Sequence, residues 1–204
     1  MRPNPITISN AFIATAALVF LLDQGGLLPL VAIAATIHEL GHILAIKALG
    51  GRVHRLHLGL AGLCIDYEGR QIGYGGEIVI ALAGSLANIL LAYGASLWGR
   101  HVGSETLFFL AGVSLGACIF NLLPVYQLDG GRAIYCLLAF VFDSEQAYRF
   151  VCILSCGTIL LLLILGTLLF VWSGWNFTLL TAAGWLLISY CKSRGNTVRY
   201  ARSS

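Results

Sequence analysis

The chain has 204 residues, of which 58% are hydrophobic and only 10% charged, and its mean hydropathy is +0.87. A water-soluble domain carries about 25% charged residues, so this composition excludes one and reads as an integral membrane protein. The net charge of +3 follows membrane topology, as shown below, and gives no ground for a nucleic-acid partner.

Six apolar stretches are near the length a helix needs to cross about 30 Å of hydrocarbon. They are Ile6 to Leu22, Leu27 to Leu49, Glu77 to Trp98, Thr106 to Leu123, Tyr148 to Trp172 and the shorter Phe177 to Cys191. Ala14-Thr15-Ala16 in the first resembles a signal-peptide cleavage site, but the apolar run continues past it to Leu22, so the stretch is read as a retained span. With the N-terminus inside, Arg2, Lys47, Arg52, Arg55, Arg70, Arg132, Arg149, Lys192, Arg194, Arg199 and Arg202 all fall on the cytoplasmic side. Of the 12 basic residues only Arg100 lies outside. The expectation is an all-α polytopic protein of the cell membrane, multi-pass, with N- and C-termini cytoplasmic. It is read as one membrane-embedded domain with a core at 6–142, two further helices at 148–191 and a cytoplasmic tail at 192–204.

The second stretch contains His38-Glu39-Leu40-Gly41-His42. Ionisable side chains in hydrocarbon are costly and point to function. Four residues apart on a helix, His38 and His42 share one face and can hold one metal ion, while Glu39 can reach a metal-bound water as general base. A structural polar cluster between helices is the bland alternative. The Glu-x-x-His half-site of a di-iron bundle would need a second copy, and no other Glu here is followed by His at that spacing.

Between the second and third spans, residues 50–76 change to a period near two in Val53 to Leu58 and Leu63 to Tyr67, with Gly59 to Gly62 between them. This predicts a small membrane-associated β-hairpin, or a sheet with a further strand near Arg70 to Tyr74. It serves either as a surface connector or as an edge that pairs with an extended substrate. In the third span, Gly84 and Ser85 permit close helix packing, and Asn88 is a carboxamide that must find partners, either bracing the metal helix or touching substrate. Pro124 ends the fourth span, and Asp129 follows before Gly130-Gly131. A catalytic zinc takes three protein ligands, which leaves one place beside the two histidines. From spacing alone Asp129 reads equally as that third ligand or as a cap for a partial helix at Ala133 to Phe142. The six cysteines form no CxxC pair and read as small apolar residues.

His38 to His42, the Gly84 to Asn88 segment and the Asn-x-x-Pro-x-x-x-x-Asp-Gly run from Asn121 to Gly130 together resemble the site-2 protease family of intramembrane zinc metalloproteases. Within it, the chain is most similar to the branch of the sporulation factors. The resemblance implies Zn²⁺ held by His38, His42 and Asp129, Glu39 as catalytic base and acid, and Asn121 lining the substrate groove, with Asn88 a further candidate there. It implies a membrane-protein substrate, cleaved in or beside a transmembrane segment to release a cytoplasmic product. The other partners expected are the lipid bilayer and, optionally, a regulatory membrane protein. Relatives often carry proline where this chain has Ser85 and Gln127, and neither the 50–76 connection nor the tail has room for a PDZ or CBS domain. A catalytically silent scaffold and a zinc transporter are the rival readings.

Overall fold

The computed structural model describes residues 6–8, 23, 25–59, 62–68, 72–173 and 177–203. It is mostly helical with one small sheet, and it divides into two compact units, Met1–Leu122 and Leu123–Ser204.

In the first unit, α1 (Leu28–Ala48) begins behind Asp23, whose carboxylate oxygens accept the N–H groups of Leu27 and Leu28 at 3.0 and 2.8 Å. That satisfies two of the donors a helix start leaves open, and Pro29 in the first turn has none to satisfy. After α1, Gly50 adopts φ 77°, a left-handed conformation cheap only for glycine, and turns the chain into the sheet. The sheet order is β1 (Ile6–Ile8), β2 (Arg52–Gly59), β3 (Gly62–Glu68). Strands β2 and β3 form the expected antiparallel hairpin, with Leu56 opposite Ile65, and β1 lies parallel to β2, with Ile6 opposite Leu56.

Two expectations are corrected here. The third strand comes from the N-terminal side, whereas Tyr74 opens a helix and Arg70 lies outside the described residues. Ile6–Ile8, read as the start of the first span, is a strand, because an Ile-Thr-Ile sequence of β-branched residues suits a pleated surface. The remainder of that span, 9–22, lies outside the described residues.

Helices α2 (Tyr74–Val102) and α3 (Glu105–Asn121) complete this unit, and α1, α2 and α3 all pack on one another. Each buries a stripe at helical spacing: Ala34, His38, Gly41, His42 and Ile46 on α1; Ile80, Gly84, Asn88 and Ala95 on α2; Leu110, Ser114 and Cys118 on α3. The packing of α1 on α2 is close: a Cβ on Gly41 would lie 2.5 Å from the Ala83 carbonyl oxygen and 2.9 Å from the Ala87 Cβ. Tyr67 at the end of β3 donates its hydroxyl to Glu77 in the first turn of α2, at 2.7 and 2.8 Å from the two oxygens, and so ties sheet to helix. The outward faces carry Leu44, Leu90, Tyr93 and Ile119, all exposed, as a lipid-solvated surface requires.

The second unit contains α4 (Asp129–Leu138), α5 (Ser144–Trp172) and α6 (Thr178–Ser203), with α4 and α6 each packed on α5. Gly166 of α5 faces the backbone of Leu180 on α6, 3.0 Å from where a Cβ would stand. Helix α6 runs on to Ser203, through what the sequence reads as a tail. Among the described residues, α1, α2 and α5 are long and apolar enough to cross a membrane, while α3 and the Thr178–Cys191 part of α6 are shorter apolar helices. The chain is a membrane protein.

Candidate metal centre

The buried stripe of α1 brings His38 and His42, 6% and 8% exposed, side by side with their Nε2 atoms 3.1 Å apart and their rings edge to face. The Nδ1 of His42 lies 2.7 Å from the carbonyl oxygen of Ile80 on α2. A carbonyl only accepts, so Nδ1 carries the proton and donates, and the Nε2 lone pair of His42 points toward His38. Opposite stands Gly84: a Cβ there would lie 2.6 Å from His42 Cε1 and 2.8 Å from His38 Cε1, and closer still to His42 Nε2. Only a residue without a side chain lets both imidazoles occupy this space, which gives Gly84 a role beyond helix packing.

This donor set fits zinc. Two nitrogens on one tetrahedral zinc at about 2.0–2.1 Å would stand roughly 3.3–3.4 Å apart, within a few tenths of an ångström of the separation observed. A carbonyl holding Nδ1 is also the usual means of orienting a metal-binding imidazole. Glu39, half-buried, follows His38 directly on the same helix.

Asn88 is fully buried, with its amide nitrogen 3.3 Å from His38 Nδ1 and its carbonyl oxygen without a hydrogen-bond partner. Asn121, at the last turn of α3, donates its amide to the Ala117 carbonyl of its own helix at 3.0 Å, which leaves its side-chain oxygen as an acceptor.

In the second unit, Asp129 is the first residue of α4, where the positive end of the helix dipole favours a carboxylate. The helix thus begins four residues before Ala133, and Gly130 and Gly131 lie inside it. Gly131 is required there: a Cβ would stand 2.6 Å from the Tyr126 nitrogen and run into the Val125 carbonyl. The loop ahead of Asp129 is pinned by Ser155 of α5, which accepts the N–H of Tyr126 at 2.9 Å and donates to the Val151 carbonyl at 2.6 Å. The Tyr126 ring meets Tyr135 and Tyr148 edge-on, with centroids 6.1 and 5.2 Å away. At the next residue, both polar atoms of the Gln127 side chain are buried without a partner. Ser155 was not singled out from the sequence, because a lone serine in an apolar helix carries no local signal of the backbone it holds.

No protein-family model matches the chain. It is 29% identical over 102 residues to a protein of Synechocystis sp. named as a zinc metalloprotease, covering 48% of this chain and 27% of that protein. It is 27% identical over 118 residues to stage IV sporulation protein FB of Bacillus subtilis, covering 55% of this chain and 40% of that one. The chain thus spans between a quarter and two fifths of the length of these curated relatives. The site-2 protease from Methanocaldococcus jannaschii shares the fold, with a TM-score of 0.70 over 94% of this chain and 92% of that one at 19% identity. The chain is a membrane protein related in sequence to a protein named as a zinc metalloprotease. The chain is thus similar in sequence to these two curated proteins and in fold to a site-2 protease.

Proposed function

We propose that this protein is an intramembrane zinc endopeptidase that hydrolyses a peptide bond in or beside a transmembrane segment of a membrane-protein substrate. The observation that carries the reading is the pair of buried imidazoles on α1, Nε2 to Nε2 at 3.1 Å in an apolar helix long enough to span, with a glutamate next to the first. A metal-free explanation must account for two histidines and a carboxylate placed at cost in hydrocarbon; a hydrolytic centre needs all three.

His38 and His42 would hold the ion through Nε2, and Asp129 would supply a carboxylate oxygen as the third ligand. Zinc, when bound, supplies a Lewis acid that brings water toward neutral pKa and polarises the scissile carbonyl. Glu39 accepts the proton that water gives up as it attacks, and then delivers it to the nitrogen of the leaving amine. The side-chain oxygen of Asn121 accepts an N–H of the extended substrate backbone. Burial of His38 and His42 keeps bulk water from the centre, so the carboxylate and imidazoles act in a medium where charge is strongly felt. In the charge-derived topology, the second span runs toward the cytoplasm, and the product is released on that side.

The test compares membranes of cells expressing wild type or Glu39→Gln by mapping new peptide termini. New termini inside or beside transmembrane segments, present with wild type and absent with Glu39→Gln, are expected. Identical sets of termini from the two would overturn the proposal.

A further inference from the structure

We propose that Ser155, near the middle of α5, is a positioning residue for the third zinc ligand: its hydroxyl fixes the turn that delivers Asp129, and so sets zinc affinity. The inference rests on the reading of Asp129 as a ligand given above, and it extends the metal centre to a helix that supplies no ligand of its own. Ser155 is fully buried in an apolar helix long enough to span. At about 1.5 Å of rise per residue it lies roughly 10 Å into the apolar stretch that begins at Tyr148. Irregular backbone at that depth has no lipid partner for its N–H groups, so protein must supply the acceptors. The one hydroxyl proton of Ser155 goes to the Val151 carbonyl at 2.6 Å, and its oxygen accepts the N–H of Tyr126 at 2.9 Å. Thr158 and Thr167 on the same helix also donate to the carbonyl four residues back, but they are exposed. Burial and the N–H taken from another segment set Ser155 apart from that ordinary helix habit.

From Tyr126 the backbone runs to Asp129 with little slack. The N–H of Leu128 donates to the Val125 carbonyl at 2.8 Å and closes a turn over 125–128. The N–H of Arg132 then donates to the Leu128 carbonyl at 3.0 Å, starting α4 with Asp129 as its first residue. The same Val125 carbonyl stands where a side chain at Gly131 would be, so the turn is also clamped against the first turn of α4. The peptide between Val125 and Tyr126 therefore meets α4 on one side and Ser155 on the other. Without the hydroxyl, the Tyr126 N–H must turn to another acceptor, and the turn shifts with it. Metal–ligand distances tolerate only about 0.2 Å, so a small displacement passed along the turn is enough to weaken the bond that Asp129 makes.

The experiment measures zinc affinity by competition with a chromogenic chelator on the detergent-purified full chain, as wild type, Ser155→Thr and Ser155→Val, each also combined with Asp129→Ala. Threonine and valine add the same bulk and differ in the hydroxyl, so crowding cancels between them, and threonine in a helix can bond the carbonyl four residues back as Ser155 does. Ser155→Val is expected to bind zinc about 10- to 100-fold more weakly than Ser155→Thr, and the gap to vanish with Asp129→Ala, where only the weaker two-histidine site remains. Equal affinity in the threonine and valine variants, or a gap of the same size with and without Asp129, overturns the inference while leaving the zinc reading intact. Asp129→Ala binding as tightly as wild type overturns the ligand assignment beneath it, and a wild type that binds no zinc overturns the zinc reading as well. If crowding unfolds both β-branched variants, Ser155→Ala is compared with Gly166→Ala, which crowds the same helix against the Leu180 backbone. Ser155→Ala should lose affinity and Gly166→Ala keep it; equal affinities in those two contradict the proposal.

Discussion

Gly84→Ala should cripple zinc binding while leaving the fold in place. The added Cβ would stand 2.6 Å from His42 Cε1 and 2.8 Å from His38 Cε1. Carbon atoms in comfortable contact are about 3.5–4.0 Å apart, so both rings must retreat, His42 by at least roughly 0.9 Å and His38 by at least roughly 0.7 Å. Metal–ligand distances tolerate only about 0.2 Å, so a retreat of that size takes the imidazole out of bonding range unless α1 and α2 separate. Separation is resisted by the Gly41 contact with Ala83 and Ala87. Overpacking of this kind costs about 1–3 kcal/mol, which, taken from the metal site, is about 5- to 150-fold in zinc affinity. The assay is chelator competition on detergent-purified protein, with Gly94→Ala as control. Gly94 lies on the same helix with no atom within 4 Å of its added Cβ, so alanine there should leave affinity unchanged. Wild-type affinity in Gly84→Ala would refute the claim that the two imidazoles and Gly84 share one cradle.

Ser155→Ala strips the Tyr126 N–H of its acceptor and should lower stability by about 1–3 kcal/mol in thermal unfolding; an unchanged transition would mean the loop ahead of Asp129 is held by other contacts. Gly131→Ala sets a methyl against the Val125 carbonyl, which is backbone and cannot swing aside, so a loss of about 1–3 kcal/mol is expected, and a variant as stable as wild type would contradict it. Gln127→Met, near in volume, removes a buried carboxamide without partners and should raise stability by about 1–3 kcal/mol; a lowered melting temperature would show that the amide is satisfied in the folded protein.

Much of the metal helix was legible because its signals are local. His38 and His42 stand one helical turn apart, and Ala34, Gly41 and Ile46 share their face, so the period alone puts both rings on the buried side of α1. The hairpin of β2 and β3 was legible for the same reason, with a period of two on either side of a glycine turn. What escaped depends on residues far apart in the chain. The parallel pairing of Ile6–Ile8 with Leu56–Leu58 joins segments some 50 residues apart, and an Ile-Thr-Ile triplet before an apolar run looks like the start of a helix. Gly130 and Gly131 both lie inside α4, and the Val125 carbonyl packs where a side chain of residue 131 would be, a contact that no local pattern announces. The approach of Asn88 to His38 Nδ1, at 3.3 Å between residues 50 apart, likewise has no local signal.

The central claim is that His38 and His42, with Asp129, hold a catalytic zinc, and metal content tests it most directly. Purified wild type, His42→Ala and Asp129→Ala would be analysed for zinc and normalised to folded protein. The account predicts about one zinc per chain in the wild type and loss of it in both variants. Zinc retained at wild-type level in Asp129→Ala would contradict the ligand set, and no metal in unstripped wild type would contradict the zinc protease itself.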